Sequence, residues 1–113
     1  MKLAILFLLL GSAVAQAAHS VTLACNPGTG GGQVTGFNAK RSTVAGSGYV
    51  VIGSASTCSF TDTSTAIQTE GATFHYVFSA TGPGGESPNS NDAAATIPFS
   101  VPATPGGTTA VPH

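Results

Sequence analysis

Charge is what this sequence has least of: three Lys or Arg and four Asp or Glu in 113 residues. One of the cations, Lys2, sits at the extreme N-terminus, and Lys40 and Arg41 do not make the basic stripe that phosphates need, so nucleic-acid binding has no support. Only two cysteines occur, with no Cys-x-x-Cys or His-x-x-x-His spacing, so a metal site is not expected. Beyond the N-terminus no stretch repeats its apolar residues at helical period over three turns. The apolar run Leu3–Leu10 is far short of the roughly 20 residues that cross a bilayer.

That run has another reading. Met1-Lys2 gives a positive start, Leu3–Leu10 an apolar centre, and Ala15-Gln16-Ala17 a small-x-small cleavage site, with Ala13-Val14-Ala15 as the alternative. Together they predict a signal peptide over 1–17 and a secreted, periplasmic or cell-surface protein with no membrane span in its mature chain. The 96 residues that remain suit one domain with a modest core. In an oxidising compartment the even pair Cys25 and Cys58 reads first as a disulfide, with two buried free thiols as the other reading.

Alternation at period two recurs through residues 20–97, broken by Gly, Pro and Asn clusters every ~8–12 residues, the rhythm of an all-β sandwich or barrel. Val21, Leu23 and Cys25 fall on one face of the first strand. After the breaker 26–32, Phe37 and Ala39 share a face opposite Asn38 and Lys40. The inward face of Tyr49–Ile52 is ambiguous. Cys58 and Phe60 share the next face, before a turn at 61–63. The strongest strand is Thr73–Ala80, with Phe74, Tyr76, Phe78 and Ala80 inward and His75, Val77 and Ser79 outward. Residues 81–85 close it as a turn, and Ala93–Ile97 is the last strand. These elements set a domain over 18–101. The Pro- and Gly-rich stretch 102–113 reads as a flexible tail.

In order and content these segments resemble a bacterial fibronectin type III domain. Ser20-Val21-Thr22-Leu23 is similar to that family's strand B, Val34-Thr35-Gly36-Phe37-Asn38 to strand C and Phe60-Thr61-Asp62-Thr63 to strand E. Phe74–Ala80 resembles strand F, and Gly85-Glu86-Ser87 with Ser90-Asn91 its F–G hairpin. The resemblance implies a small antiparallel β-sandwich of immunoglobulin-like topology, without a catalytic or cofactor-binding site of its own.

Three departures from the family carry expectations. Cys25 stands where the family has Trp, and if strands B and E pair antiparallel, Cys25 closes the inward face of B beside Cys58, which opens that of E. Phe74 stands where the family has a corner tyrosine, so the hydroxyl that bonds back to the chain is missing. Almost no sequence precedes strand B in the mature chain. Strand A is then missing, and strand B becomes an open sheet edge, which invites a strand from the protein's own tail (Phe99-Ser100-Val101) or from a second chain.

Residues for chemistry are few. The acidic residues lie in or beside predicted turns, with no pair on one strand face. Asp62 reads as a turn former and His75 as an exposed strand residue. The Gly cluster 28–32 lacks Gly-Lys-Ser/Thr and precedes a strand, so it reads as a loop rather than a phosphate cradle. The sequence therefore points to a non-catalytic module for adhesion, surface association or accessory binding of a protein or glycan, with binding loops at 26–33 and 82–89. The alternative is an assembly protein that self-associates through strand B.

Overall fold

The computed structural model describes residues 18–112, so the predicted signal peptide lies outside the described residues. Residues Ala18–Pro98 form one compact unit. Its strands are β1 (Val21–Ala24), β2 (Gly36–Ser42), β3 (Val50–Ala55), β4 (Ser59–Asp62), β5 (Thr73–Gly82), β6 (Gly85–Glu86) and β7 (Ala93–Thr96), with a 3-10 turn at Thr65–Gln68. All pairings between them are antiparallel, so the chain is all-β as its period-two patterning requires. No helix among the described residues is long and apolar enough to cross a membrane.

β1 pairs with β4 as a two-stranded sheet, and β3-β2-β5 continue into β6 and β7, which share the far edge of β5. β5 is therefore central. The chain turns at Pro83-Gly84, between the paired residues Gly82 and Gly85, and runs back along β5 to Thr96. Between β6 and β7 the returning segment stays attached through Ser87 N–H to the Ala80 carbonyl (2.8 Å) and Ser90 N–H to the Phe78 carbonyl (2.7 Å).

Both sheets feed one core. Leu23 comes from β1, Phe37 and Ala39 from β2, and Phe74, Tyr76 and Phe78 from β5, with Val21, Cys25 and Phe60 packed against them. Ile67 from the 3-10 turn and Ile97 after β7 are fully enclosed. Phe60 of β4 lies on the backbone of Gly53 in β3, where a side chain would overlap its ring.

The ambiguous face of Tyr49–Ile52 has a structural cause. Ala39 pairs with Gly53 but Lys40 pairs with Val51, so Ile52 is the extra residue of a bulge. The bulge interrupts the alternation: Ile52 packs on the core while Val50 and Val51 both face out.

The outward face of β5 needs correction. Val77 and Ser79 do lie opposite the core residues, but they are buried rather than solvent-exposed. Val77 is paired with Lys40 and Ser79 with Asn38 on β2, while Lys40 and Asn38 both reach Glu86 on the far side of β5. Their side chains must cross β5 to do so, and the apolar stem of Lys40 roofs the strand beneath it.

Residues 99–112 form no regular secondary structure, and Phe99, Val101 and Val111 are exposed.

Candidate functional site

Cys25 and Cys58 extend the β1–β4 register by one further pair. Their Cα atoms are 5.2 Å apart, the Cys25 N–H donates to the Cys58 carbonyl at 2.8 Å, and the sulfurs are at bonding distance. The pair thus sits at the open end of the two-stranded sheet, facing the core.

At the other end of β4, Asp62 is 2% exposed and lies at the meeting point of the two sheets. It follows Cys58 and Phe60 on the inward face of its strand. Arg41 Nη1 from β2 and the Tyr76 hydroxyl from β5 both donate to Asp62 Oδ2 at 2.8 Å, while Oδ1 accepts the Ser64 N–H at 3.1 Å and the Ser64 hydroxyl. Burial alone would push the carboxyl up, but the bonds from Ser64, Arg41 and Tyr76 outweigh it and hold Asp62 below its ordinary range. Burial, then the adjacent carboxylate, pushes the Tyr76 phenol well above its ordinary value. Asp62 does form the local turn expected of it, yet its larger part is this buried clasp. Every lone-pair direction is occupied by this chain, which makes it a structural group rather than a reactive one.

His75 also needs correction. It is largely covered, 17% exposed at its side chain, and its Nδ1 is 2.9 Å from Asp92 Oδ2. The Tyr49 hydroxyl donates to the other Asp92 oxygen. The Tyr49 hydroxyl, then His75, draws the Asp92 carboxyl down, and Asp92 in turn raises the Tyr49 phenol. Glu86 accepts from Ser79, Lys40 and Asn38, which bring its carboxyl down to about 2. His19, ahead of β1, pairs with Glu70 at 3.1 Å. Its backbone exchanges two hydrogen bonds with the Gln68 amide. Each of the four acidic residues therefore has a basic partner. Among the described residues no group of three or more His, Cys, Asp and Glu is placed to hold a metal ion.

No family model matches this sequence, and no curated protein does.

Among the described residues, two concave surfaces bear on binding. One, of 370 Å³, lies where the loops 27–34 and 82–87 meet, so the two loops singled out in the sequence do come together. Gly82 there lies against the Gln33 carbonyl with no room for a side chain. Its wall is largely glycine backbone, and it holds no Arg, Tyr or Trp, the side chains that anchor binding hot spots.

The other, of 470 Å³, runs along β1. One wall is Thr22–Gly28, the other is the returning segment around Ser87–Ala93, and Phe37, Cys58 and Phe78 lie at its base. Among the described strands β1 pairs only with β4. Because Cys25 bonds toward β4, the alternation of an antiparallel ladder directs Leu23 and Val21 the same way and turns the N–H and C=O of Thr22 and Ala24 to the other side. Both residues line the groove. This is a sheet edge with an apolar slot beside it, and no charged side chain lines it.

Proposed function

We propose that this chain is a non-catalytic, secreted module of fibronectin type III-like build that binds its partner by accepting an added strand along β1. The observation that carries the reading is the edge of β1, which among the described residues has no strand beside it, backed by the uncharged 470 Å³ groove. Backbone groups of Thr22 and Ala24 supply sequence-independent affinity, and the slot accepts alternate side chains, which is the usual division of labour in strand addition.

The strand pairing supports the family-like build. β1 with β4 corresponds to strands B and E of that family, and β2 and β5 correspond to C and F. A sandwich is supported by the single core that both sheets share. Export is supported by the leader-like sequence 1–17 and by the paired cysteines, which persist in oxidising compartments. The partner that adds its strand is a protein of the periplasm, cell surface or exterior, since only a peptide backbone can supply the ladder. An assembly role is favoured by the same free edge, because a second copy is the strand donor nearest at hand.

Co-sedimentation with insoluble cell-surface material tests the binding reading. The wild-type chain is expected to sediment with it, and the Ala24→Pro variant, which removes an edge-facing N–H, to stay in solution. Equal behaviour of the two folded proteins would count against β1 as the binding edge.

A further inference from the structure

We infer that the groove beside β1 takes the segment Phe99–Val101 of a second copy of this chain as its added strand, so that copies join head to tail. The inference rests on the strand-addition reading above and names the donor. The acceptor sets three requirements. The donor must be extended, must carry apolar side chains at alternate positions, and must bring no charge into a slot that offers none in return.

Phe99-Ser100-Val101 meets all three. Phe99 and Val101 alternate about Ser100, and they are 75% and 89% exposed, large apolar side chains with little cover. Pro102 biases Val101, the last residue of the segment, toward extended backbone, which lowers the cost of ordering it as a strand. The same prolines, unable to donate to a ladder, limit the added strand to three residues. That length suits an edge where Thr22 and Ala24 present two N–H and two C=O groups. Residues 99–112 carry no charged side chain.

Return of the segment into its own groove is disfavoured by chain length. Ile97 is still tied on both sides, its N–H to the Ala72 carbonyl and its carbonyl to the Gly71 N–H, each at 2.8 Å. Only Pro98 remains to reverse the chain before Phe99, and the tightest common hairpin uses two residues. A donor from another molecule has no such constraint. Donor and acceptor are different patches, so the contact is heterologous and repeats into open chains rather than closing as a two-fold dimer.

Two variants of the chain lacking residues 1–17 separate the possibilities. F99D/V101D spoils the donor at exposed positions, and Ala24→Pro spoils the acceptor. If proline lowers the melting temperature, Ala24→Lys replaces it, keeping the fold's N–H while charging the edge. Light scattering and sedimentation velocity at millimolar concentration are expected to show a wild-type mass that rises past the dimer with concentration and is insensitive to salt. Each variant alone is expected to stay monomeric, and their mixture to form a one-to-one dimer that grows no further. A monomeric wild-type chain would overturn the inference, as would F99D/V101D that still associates, which would mean β1 pairing with β1. A monomer whose Thr22 amide is protected until F99D/V101D is introduced would also overturn it, in favour of the molecule's own tail. Binding to cell-surface material that F99D/V101D leaves intact and Ala24→Pro abolishes would keep the strand-addition reading while removing this donor.

Discussion

The hydroxyl of Tyr76 on β5 donates to the carboxylate of Asp62 on β4 at 2.8 Å, so this buried hydrogen bond, beside the one from Arg41 on β2, ties the five-stranded sheet to the two-stranded one. Tyr76→Phe keeps the ring and removes only this bond to a charged group. The expected loss is about 2 kcal/mol. Asp62→Ala leaves the Tyr76 hydroxyl unpaired and the Arg41 guanidinium without its carboxylate, with only the Ser64 hydroxyl beside it, and is expected to cost about 3 kcal/mol. Urea denaturation of the two variants checks the order; equal, small losses would mean that the sheets are held by apolar packing alone.

Acid acts on the same clasp. The folded state holds the Asp62 carboxyl below its ordinary range, so the unfolded chain takes up its proton first as pH falls. The stabilisation is therefore fully present above the unfolded value, near 4, and is lost as pH drops through the lower folded value. Melting temperature is expected to fall as pH drops below about 4, with a weaker fall in Asp62→Asn, which has no carboxylate to protonate. Glu86, drawn down to about 2 by Ser79, Lys40 and Asn38, acts in the same direction. It is responsible for part of the slope that Asp62→Asn retains.

Reduction of Cys25–Cys58 releases a 33-residue separation in the unfolded chain. The chain-entropy account puts the loss of stability at about 3–4 kcal/mol. Denaturation with and without reductant, with thiol alkylation followed by mass, measures it. A reduced protein as stable as the oxidised one would show that packing around Leu23 and Phe60 suffices without the bridge.

Strand faces and the cysteine pair were legible in the sequence because they follow local rules: period-two alternation for Phe37, Ala39, Phe74, Tyr76 and Phe78, the breaker at 26–32, and the inward phase of Cys25 and Cys58. The turn expected over 81–85 narrows to Pro83-Gly84, because Thr81 and Gly82 continue β5 and Gly85 opens β6. The parts that were not legible depend on partners distant in sequence. Asp62 beside Thr63 and Ser64 looks like a turn residue, and it is one; only the fold shows that Arg41, 21 residues away, and Tyr76, 14 away, converge on it. His75 looks exposed because nothing local reveals Asp92 across the returning strand. The phase of β3 is hidden by the bulge at Ile52, which a strict alternation rule cannot place. Opposite-charge pairing was the available signal: with so few charged residues, each carboxylate that is taken into the fold needs one of the few basic side chains.

Glycine positions distinguish close packing from open turns. At Gly53 a Cβ would overlap the Phe60 ring, whereas at Gly84 nothing lies near. Gly53→Ala is expected to cost about 1–3 kcal/mol by displacing Phe60. Gly84→Ala is expected to stay within about 0.5 kcal/mol of wild type. Thermal denaturation of both reads the difference, and a tolerant Gly53 would show that β3 and β4 are not in firm contact.

Amide hydrogen exchange along β1, read residue by residue in a dilute monomeric sample, tests the open edge most directly. The account predicts slow exchange at Leu23 and Cys25, whose N–H groups are committed to β4, and fast exchange at Thr22 and Ala24, whose N–H groups face the groove. Uniform protection of all four amides in the monomer would contradict it, because the edge offered to a partner strand would already be filled.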